Sequence, residues 1–356
     1  MSDFPLVSVV IPCFNRANLL IPTIESALQQ DYSKIECVVV DAASTDGTVE
    51  ILKSYGDRIK WVSEPDEGHA DAINKGWSMS SGEILAWLNA DDIWDVPSAV
   101  SRAVDYLRAH PDVDVVYGDC GQIDMEGNRV GMAYLKEWDL EYAVENCDHC
   151  IPQPASFIRR SILEKVGWLD KDFYQKKDHE LWLRIALQGK IQHIPALVAH
   201  ERNMRGLSFD GRTAAPSCVQ VTRKFFSSPN VPEGLRRKEK RAMSNAYIRG
   251  IDYAWEGGRL WSLIVRYLIR SIIADPSNYR RALVRVKQYA YRSAPEDARL
   301  RWLLIIYILL NTPRWAWQLS RSMMRDVFQM PREGAHSSEP EENPICDSNN
   351  GLETTP

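Results

Sequence analysis

Short apolar runs alternate with stretches of helical period over the first 120 residues. Val7–Ile11 reads as a buried strand, and Ala17–Gln29 as a helix with Leu20, Ile24, Ala27 and Leu28 on one face. Ile35–Val40 is the next strand, followed by a helix opening at Ser44-Thr45-Asp46-Gly47, where Ser, Thr or Asp can cap. Ile59–Val62, Glu83–Leu88 and Val113–Tyr117 read as further strands, with helices over His69–Ser78 and Pro97–Ala109 between them. Apolar strands alternating with helices predict an α/β fold whose mostly parallel sheet is covered by helices on both faces. In such sheets ligands sit at the carboxyl ends of the strands.

Polar residues gather at those ends. Asn15, Asp41, Glu64, Asp66, Asp91 and Asp92 each follow a strand directly. A helix cap explains one or two such acids, but not acids after several strands in turn. Beyond residue 120 the pattern is irregular: a hairpin over Gln122–Val130, a strand at Ala155–Arg159, and a helix over Asp178–Leu187 with Leu181, Ile185 and Trp182 inward. Residues 240–330 read as helical and rich in Trp, Tyr and Arg, and the polar residues 331–356 as disordered. The implied division is an α/β part over 1–210, a basic helical part over 211–330 and a tail over 331–356.

Composition changes the picture through charge. The 356 residues are 45% hydrophobic and 26% charged, an ordinary globular mixture, and carry a net charge of −5. Residues 211–330 nonetheless hold 22 Lys/Arg against 8 Asp/Glu, while residues 1–210 hold 20 against 34. An acidic first part points to a cation-dependent site and a basic later part to an anionic surface; two solvated faces are the plain alternative. Trp302–Leu310 (WLLIIYILL) is the most apolar stretch, flanked by Arg299, Arg301 and Arg314. Nine residues are too few for the roughly 30 Å of hydrocarbon that takes about 20 helical residues. It is either a core helix or one lying in the plane of a membrane with Trp302, Trp315 and Trp317 at the interface. Trp and Leu at helical spacing argue against nucleic acid as the basic part's partner.

Seven scattered cysteines suit a reducing compartment, and Met1–Val10 lacks the basic start of a signal peptide, so the expected location is cytoplasmic. Cys147-Asp148-His149-Cys150 has zinc-like spacing but no second pair, which favours free thiols.

The chemistry centres on Asn89-Ala90-Asp91-Asp92. Two adjacent carboxylates repel by roughly 4 kcal/mol at ~4 Å and an effective dielectric of about 20. Mg²⁺ or Mn²⁺ relieves that conflict and bridges carboxylates to substrate phosphates. Neither Gly-x-x-x-x-Gly-Lys-Ser/Thr nor Gly-x-Gly-x-x-Gly occurs, so P-loop and dinucleotide readings fail.

These residues also carry a resemblance. Ile11-Pro12-Cys13-Phe14-Asn15-Arg16, Val40-Asp41 through Gly47-Thr48, Ser63-Glu64-Pro65-Asp66-Glu67-Gly68, Asp71 through Gly76, Leu88 through Asp92 and Lys177 through Arg184 together resemble the family 2 glycosyltransferases of GT-A fold, nearest the bacterial O-antigen and exopolysaccharide branch. The resemblance covers about residues 6–210. It implies an inverting transfer of a hexose from a nucleoside-diphosphate sugar, such as a UDP-hexose, to a hydroxyl of a growing surface glycan or polyprenyl-linked acceptor. The enzyme would sit peripherally on the inner face of the cell membrane.

By the same resemblance Pro12 and Asn15 would line the nucleotide pocket, Asp41 would hold the base with Asp66 beside it, and Asn89 and Asp91 would lie on the ribose side. Asp92 would be the metal ligand, with Asp91 as second candidate, and Asp178 the general base. Gln153, Trp182, His200 and Arg202 would reach the acceptor or the phosphates. Glu180 and Arg184, four apart, read as a helical ion pair. The sequence departs from the family near Met204, where a His is expected, which puts phosphate closure in doubt and keeps an inactive nucleotide-sugar-binding subunit as the rival reading. A nucleotidyltransferase is disfavoured because no glycine-rich loop follows the first strand.

Overall fold

The computed structural model describes residues 4–133, 137–148, 151–202 and 210–292. The expectations for His149, Cys150, Met204, the 302–317 segment and the tail fall outside these residues. In chain order the first half runs β1 (Val7–Cys13), α1 (Leu20–Leu28), β2 (Ile35–Asp41), α2 (Thr48–Ser54), β3 (Lys60–Ser63), α3 (His69–Met79), β4 (Ile84–Trp87) and α4 (Ala99–Ala109). Then come β5 (Val115–Ile123), β6 (Arg129–Ala133), α5 (Leu140–Asn146), β7 (Ser156–Arg159), α6 (Arg160–Val166), α7 (Lys177–Ala186) and β8 (Ile191–Arg202). Five helices follow: α8 (Gly211–Ser227), α9 (Glu233–Arg236), α10 (Glu239–Glu256), α11 (Trp261–Ala274) and α12 (Tyr279–Arg292).

The strands form one sheet in the order β3-β2-β1-β4-β7-β5-β6, with β8 along the other edge of β5. β1 to β4 are parallel, as expected. β7 is antiparallel to both β4 and β5, so the sheet is mixed. Alternation along β1 splits its side chains between two layers. Val7, Val9 and Ile11 meet Leu20 and Ile24 of α1, Leu52 of α2 and Val100 and Val104 of α4. Val10 faces the other way, with Ile73 and Trp77 of α3, Ile162 of α6 and Leu181 of α7. Trp87 centres that second layer, edge-on to Trp77 at 5.2 Å and stacked on Trp182 at 5.9 Å.

The strand β8 has no counterpart in the sequence pattern, and β5 extends six residues beyond the predicted Val113–Tyr117. Both follow from two glycines on β5. A Cβ at Gly118 would stand 2.2 Å from Val198 Cγ2 and 2.7 Å from the Ala196 carbonyl, and one at Gly121 would stand 2.3 Å from His200 Cδ2. Residues that look like strand breakers are where β8 comes close.

Beyond the sheet, α8 packs on α7, and α10 lies against α5, α8 and α11. A third apolar cluster joins Ala143 and Val144 of α5, Leu183 of α7, and Val221 and Phe225 of α8. The predicted helices over 240–330 are present as far as Arg292, and no helix among the described residues is long and apolar enough to cross a membrane.

His193 ties β8 to β5 and to the segment before α5. Its ring is 8% exposed, stacks on Tyr117, and bonds Asp119 Oδ1 at 2.8 Å and Glu137 Oε1 at 2.9 Å. Burial opposes charging, but the Glu137 and Asp119 carboxylates outweigh it and raise the imidazole's pKa. With the folded pKa above the unfolded value of about 6.5, this contribution is complete below that value and disappears as pH rises through the folded pKa. The stability difference between wild type and His193→Gln, from urea midpoints, should therefore shrink from pH 6 to pH 9; a constant difference would contradict it.

Candidate functional site

The site lies at the carboxyl ends of β1 to β4. The register Cys13↔Asp41↔Ser63 aligns three strand ends in a row, and Val10↔Trp87 brings the loop after β4 beside them. The loop after β1 is tied to the loop after β2 by a set of local bonds. Asn15 N donates to Ser44 Oγ at 2.7 Å, Thr45 N to Asn15 Oδ1 at 2.9 Å, and Ala17 N to Asp46 Oδ2 at 3.0 Å. Asn15 takes a left-handed conformation with φ +50°, which its short amide tolerates. These ties delay the first helix to Leu20 and the second to Thr48, later than the apolar pattern suggests. Pro12 is buried within β1.

The Asp41 carboxylate is fully buried and accepts bonds from Ser44 N at 3.0 Å, from Ser63 Oγ at 2.6 Å and from Ser44 Oγ. It therefore ties the loop after β2 to the end of β3. Asp66 is half-buried and caps the turn into α3 by accepting from Gly68 N at 2.9 Å.

The loop after β4 concentrates negative charge. Asp92 is 4% exposed; Oδ1 accepts from Arg202 N at 3.2 Å and Oδ2 from Asn89 Nδ2 at 2.8 Å. Burial and the adjacent Asp91 charge push its pKa well up. Asp91 is more open, and burial raises its pKa too, against the pull of Arg16 and Arg202. Asn89 also donates to Gln153 Oε1 at 3.0 Å, and Gln153 in turn donates to the Trp87 carbonyl. Gln153 thus borders the acidic loop.

Asp178 stands in the first turn of α7, where Oδ1 accepts from His179 N at 2.8 Å. A residue that feels its charge and also touches the acidic loop is His69, which sequence reasoning missed. His69 opens α3 and its Nε2 lies 2.9 Å from Asn89 Oδ1, while the charges of Lys177 and Asp178 act on its ring. Crowding around the ring and the Lys177 ammonium lower its pKa. The one hint in the sequence was its place directly after Asp66-Glu67-Gly68, at the start of a helix.

Three expected acceptor or phosphate residues are engaged elsewhere. Trp182 is fully buried against Trp87. His200 is 1% exposed, packed on Gly121 with Nδ1 3.3 Å from Asp95 Oδ2. Arg202 spends its guanidinium on backbone carbonyls: Asp91 at 3.2 Å, Met125 at 2.9 Å, and Asp124. It is a strut for the acidic loop. Glu180 and Arg184 pair at 2.7 Å as expected, with Lys224 of α8 also 2.7 Å from Glu180. Cys13, Cys37, Cys120, Cys147 and Cys218 are buried free thiols.

The sequence profile of glycosyl transferase family 2 matches residues 8–167. An uncharacterized glycosyltransferase of Mycobacterium tuberculosis is 30% identical over 268 residues, which cover 73% of this chain and 97% of that protein. This chain belongs to glycosyl transferase family 2. An uncharacterized glycosyltransferase of Rickettsia typhi is 32% identical over 189 residues, 51% of this chain; the chain thus spans 58% of that relative's length.

Among solved structures, the family 2 chain is similar in fold to Staphylococcus aureus TarS 1-349 in complex with UDP-GlcNAc. The TM-score is 0.57 at 15% identity, covering 80% of this chain and 92% of that one. The mannosyltransferase PcManGT from Pyrobaculum calidifontis, in complex with GDP-Man and Mn2+, gives a TM-score of 0.54 at 20% identity over 91% and 85%. The fold is therefore GT-A-like, with a helical C-terminal region.

The strut role of Arg202 is measurable in this family 2 chain. Replacing it by Ala removes its bonds to three part-buried carbonyls, charged bonds each worth roughly 1.5–3 kcal/mol. Urea unfolding of Arg202→Ala should show a loss of at least about 2 kcal/mol, with Arg202→Lys recovering only part because one ammonium does not span three carbonyls. An unchanged midpoint for Arg202→Ala would refute the assignment.

Proposed function

We propose that this chain is an inverting glycosyltransferase that moves a sugar from a nucleoside diphosphate donor to an acceptor hydroxyl. The observation that carries this reading is the pair of contacts from Asp92 through Asn89 to His69, whose ring also feels the charge of Asp178, so that a metal-suited acid and a candidate base act on one residue. UDP-GlcNAc with TarS and GDP-Man with Mn2+ in PcManGT support a sugar nucleotide and a divalent cation as the ligands.

A divalent cation fits the acidic loop. Two adjacent carboxylates, one nearly dry, carry raised pKa values that a cation would reverse. No cluster of three or more acidic, His or Cys side chains suited to a metal exists among the described residues, so Asp92 and Asp91 would hold the ion with the donor's phosphates completing its shell. Bound there, the ion would stabilise charge on the diphosphate leaving group.

The rest is done by the chain itself. Asp66 and the Asn15 loop flank the nucleotide end, with Pro12 and Asp41 as their buried support. Asp178 accepts the proton of the acceptor hydroxyl, which attacks the anomeric carbon from the face opposite the departing nucleoside diphosphate. The place of Asp178 in the first turn of α7 sets a negative charge at the favourable end of the helix dipole. A positioned base contributes roughly 10²–10⁴-fold.

The acceptor is a growing surface glycan or a lipid-linked oligosaccharide, met at the anionic inner face of the membrane by the basic region over 211–330. Support comes from α11 and α12, which contain no acidic residue; they expose Arg266, Arg270, Arg280 and Arg281, and also the apolar Ile273 and Val284.

Donor hydrolysis across UDP-, GDP- and dTDP-sugars tests the chemistry. One nucleotide should be released slowly with Mn²⁺ or Mg²⁺, not with chelator or in Asp92→Asn. Asp178→Asn should lose this turnover by roughly 10²-fold or more while still binding the donor. Failure of wild type to bind any of these donors with either metal ends the reading. The membrane face is tested by flotation with phosphatidylcholine vesicles, with and without phosphatidylglycerol. Arg266→Glu with Arg270→Glu should weaken binding to the anionic vesicles roughly thirtyfold at low salt, at about 1 kcal/mol per basic residue. Binding that ignores lipid charge would contradict it.

A further inference from the structure

His69 touches the acidic loop and feels the charge of the candidate base, and the hydrogen-bond directions around it fix what it can offer. Asn89 Nδ2 donates to Asp92 Oδ2 at 2.8 Å and to Gln153 Oε1 at 3.0 Å, so its amide oxygen points at His69. An amide oxygen only accepts; the proton in the 2.9 Å contact therefore belongs to His69 Nε2. In an imidazole with Nε2 protonated, Nδ1 carries a lone pair. No described residue bonds that nitrogen, and the side chain is exposed. The ring thus grips the acidic loop with one nitrogen and keeps an unused acceptor on the other, while the charges of Lys177 and Asp178 act on it.

The geometry of the transfer says what belongs beside that ring. The donor sugar is joined on one side to the diphosphate at the acidic loop. On its other side it is approached by the hydroxyl that Asp178 deprotonates. A residue that touches the first and neighbours the second borders the sugar ring.

We propose that His69 reads the donor sugar, its Nδ1 accepting a hydrogen bond from one ring hydroxyl. The inference rests on the crevice being a nucleotide-sugar site. Its consequence is selectivity: a donor lacking that hydroxyl leaves the nitrogen facing carbon, and sites built to bond a hydroxyl discriminate strongly against analogues without it. The nucleobase and phosphates make no use of His69.

Calorimetric titration with Mn²⁺ separates the possibilities. UDP, GDP, UDP-GlcNAc, UDP-glucose, UDP-galactose and GDP-mannose are titrated first into wild type, which should bind at least one sugar nucleotide. His69→Ala should then bind that sugar nucleotide about tenfold more weakly with its affinity for the bare nucleotide unchanged. His69→Gln, whose N–H still reaches Asn89 and whose carbonyl still accepts, should recover most of the loss. Deoxy analogues of that donor, titrated into wild type, should reveal one hydroxyl whose removal reproduces the loss and adds nothing in His69→Ala. This last comparison holds even where the alanine variant folds poorly, since wild type alone must show the hydroxyl.

Two results overturn the inference alone: bare nucleotide and sugar nucleotide weakening together, which makes His69 only a brace for Asn89, or neither changing. Wild type binding none of the six probes instead removes the underlying reading, and shows itself before any variant is compared.

Discussion

A carboxylate with almost no water around it governs the crevice. Asp92 is buried at the end of β4 beside a second acid, and taking such a charge out of water costs several kcal/mol unless hydrogen bonds replace the lost hydration. The replacements arrive from far along the chain. Asn89 supplies an amide N–H from the same loop, and Arg202 a backbone N–H from the end of β8. Thr23 of α1 donates to the Asp92 carbonyl at 2.8 Å, and Ile93 and His200 exchange backbone bonds at 3.0 and 2.8 Å. The acidic loop is thus stitched to the last strand of the sheet, and its shape depends on β8 being seated.

That dependence gives the two β5 glycines their purpose. Gly118 and Gly121 let β8 approach close enough for its end to lie over the loop, and the space a Cβ would need at Gly121 is filled by the ring of His200. His200 and Arg202 carry charge-bearing side chains at positions where a ligand contact is easily imagined. Their surroundings are protein instead: Asp95 lies beside one, and three backbone carbonyls accept from the other. The same network that reduces the cost of burying Asp92 leaves Asp91 as the more open of the two acids.

Which parts were legible follows from the range of the interactions. β1, β2 and β4 are continuous Val-, Ile- and Leu-rich runs buried on both faces, so composition alone marks them, and the acids that follow them mark the crevice. β8 reads Ile-Gln-His-Ile-Pro-Ala-Leu-Val-Ala-His-Glu-Arg, broken by a proline and two histidines, and becomes a strand through pairing with residues nearly eighty positions earlier. The inserted β7 matches its predicted place, but its antiparallel sense is set by its neighbours on both sides and by nothing local. In the site, the loop that carries Asp91 and Asp92 was legible as chemistry. The burial of Asp41 was not, because Ser63, one of its partners, comes from another strand.

The helices after residue 210 bear on the other wall of the crevice. Lys176, just before α7, takes a left-handed conformation with φ +61°, which costs a non-glycine residue about 1–2 kcal/mol. Its ammonium donates to the Cys147 carbonyl at 3.2 Å and lies 5.3 Å from the centre of the Tyr253 ring on α10. One turn further on, Glu180 is held between Arg184 and Lys224 of α8, while Arg184 reaches the Val166, Gly167 and Trp168 carbonyls at 2.7 to 2.8 Å. Between these two anchorages sits Asp178. A carboxylate that must meet a hydroxyl within hydrogen-bond reach cannot ride on a loose helix end, so the strained entry of α7 is paid for by α8 and α10. The basic helical region is in this sense part of the crevice: it fixes the direction in which the candidate base points.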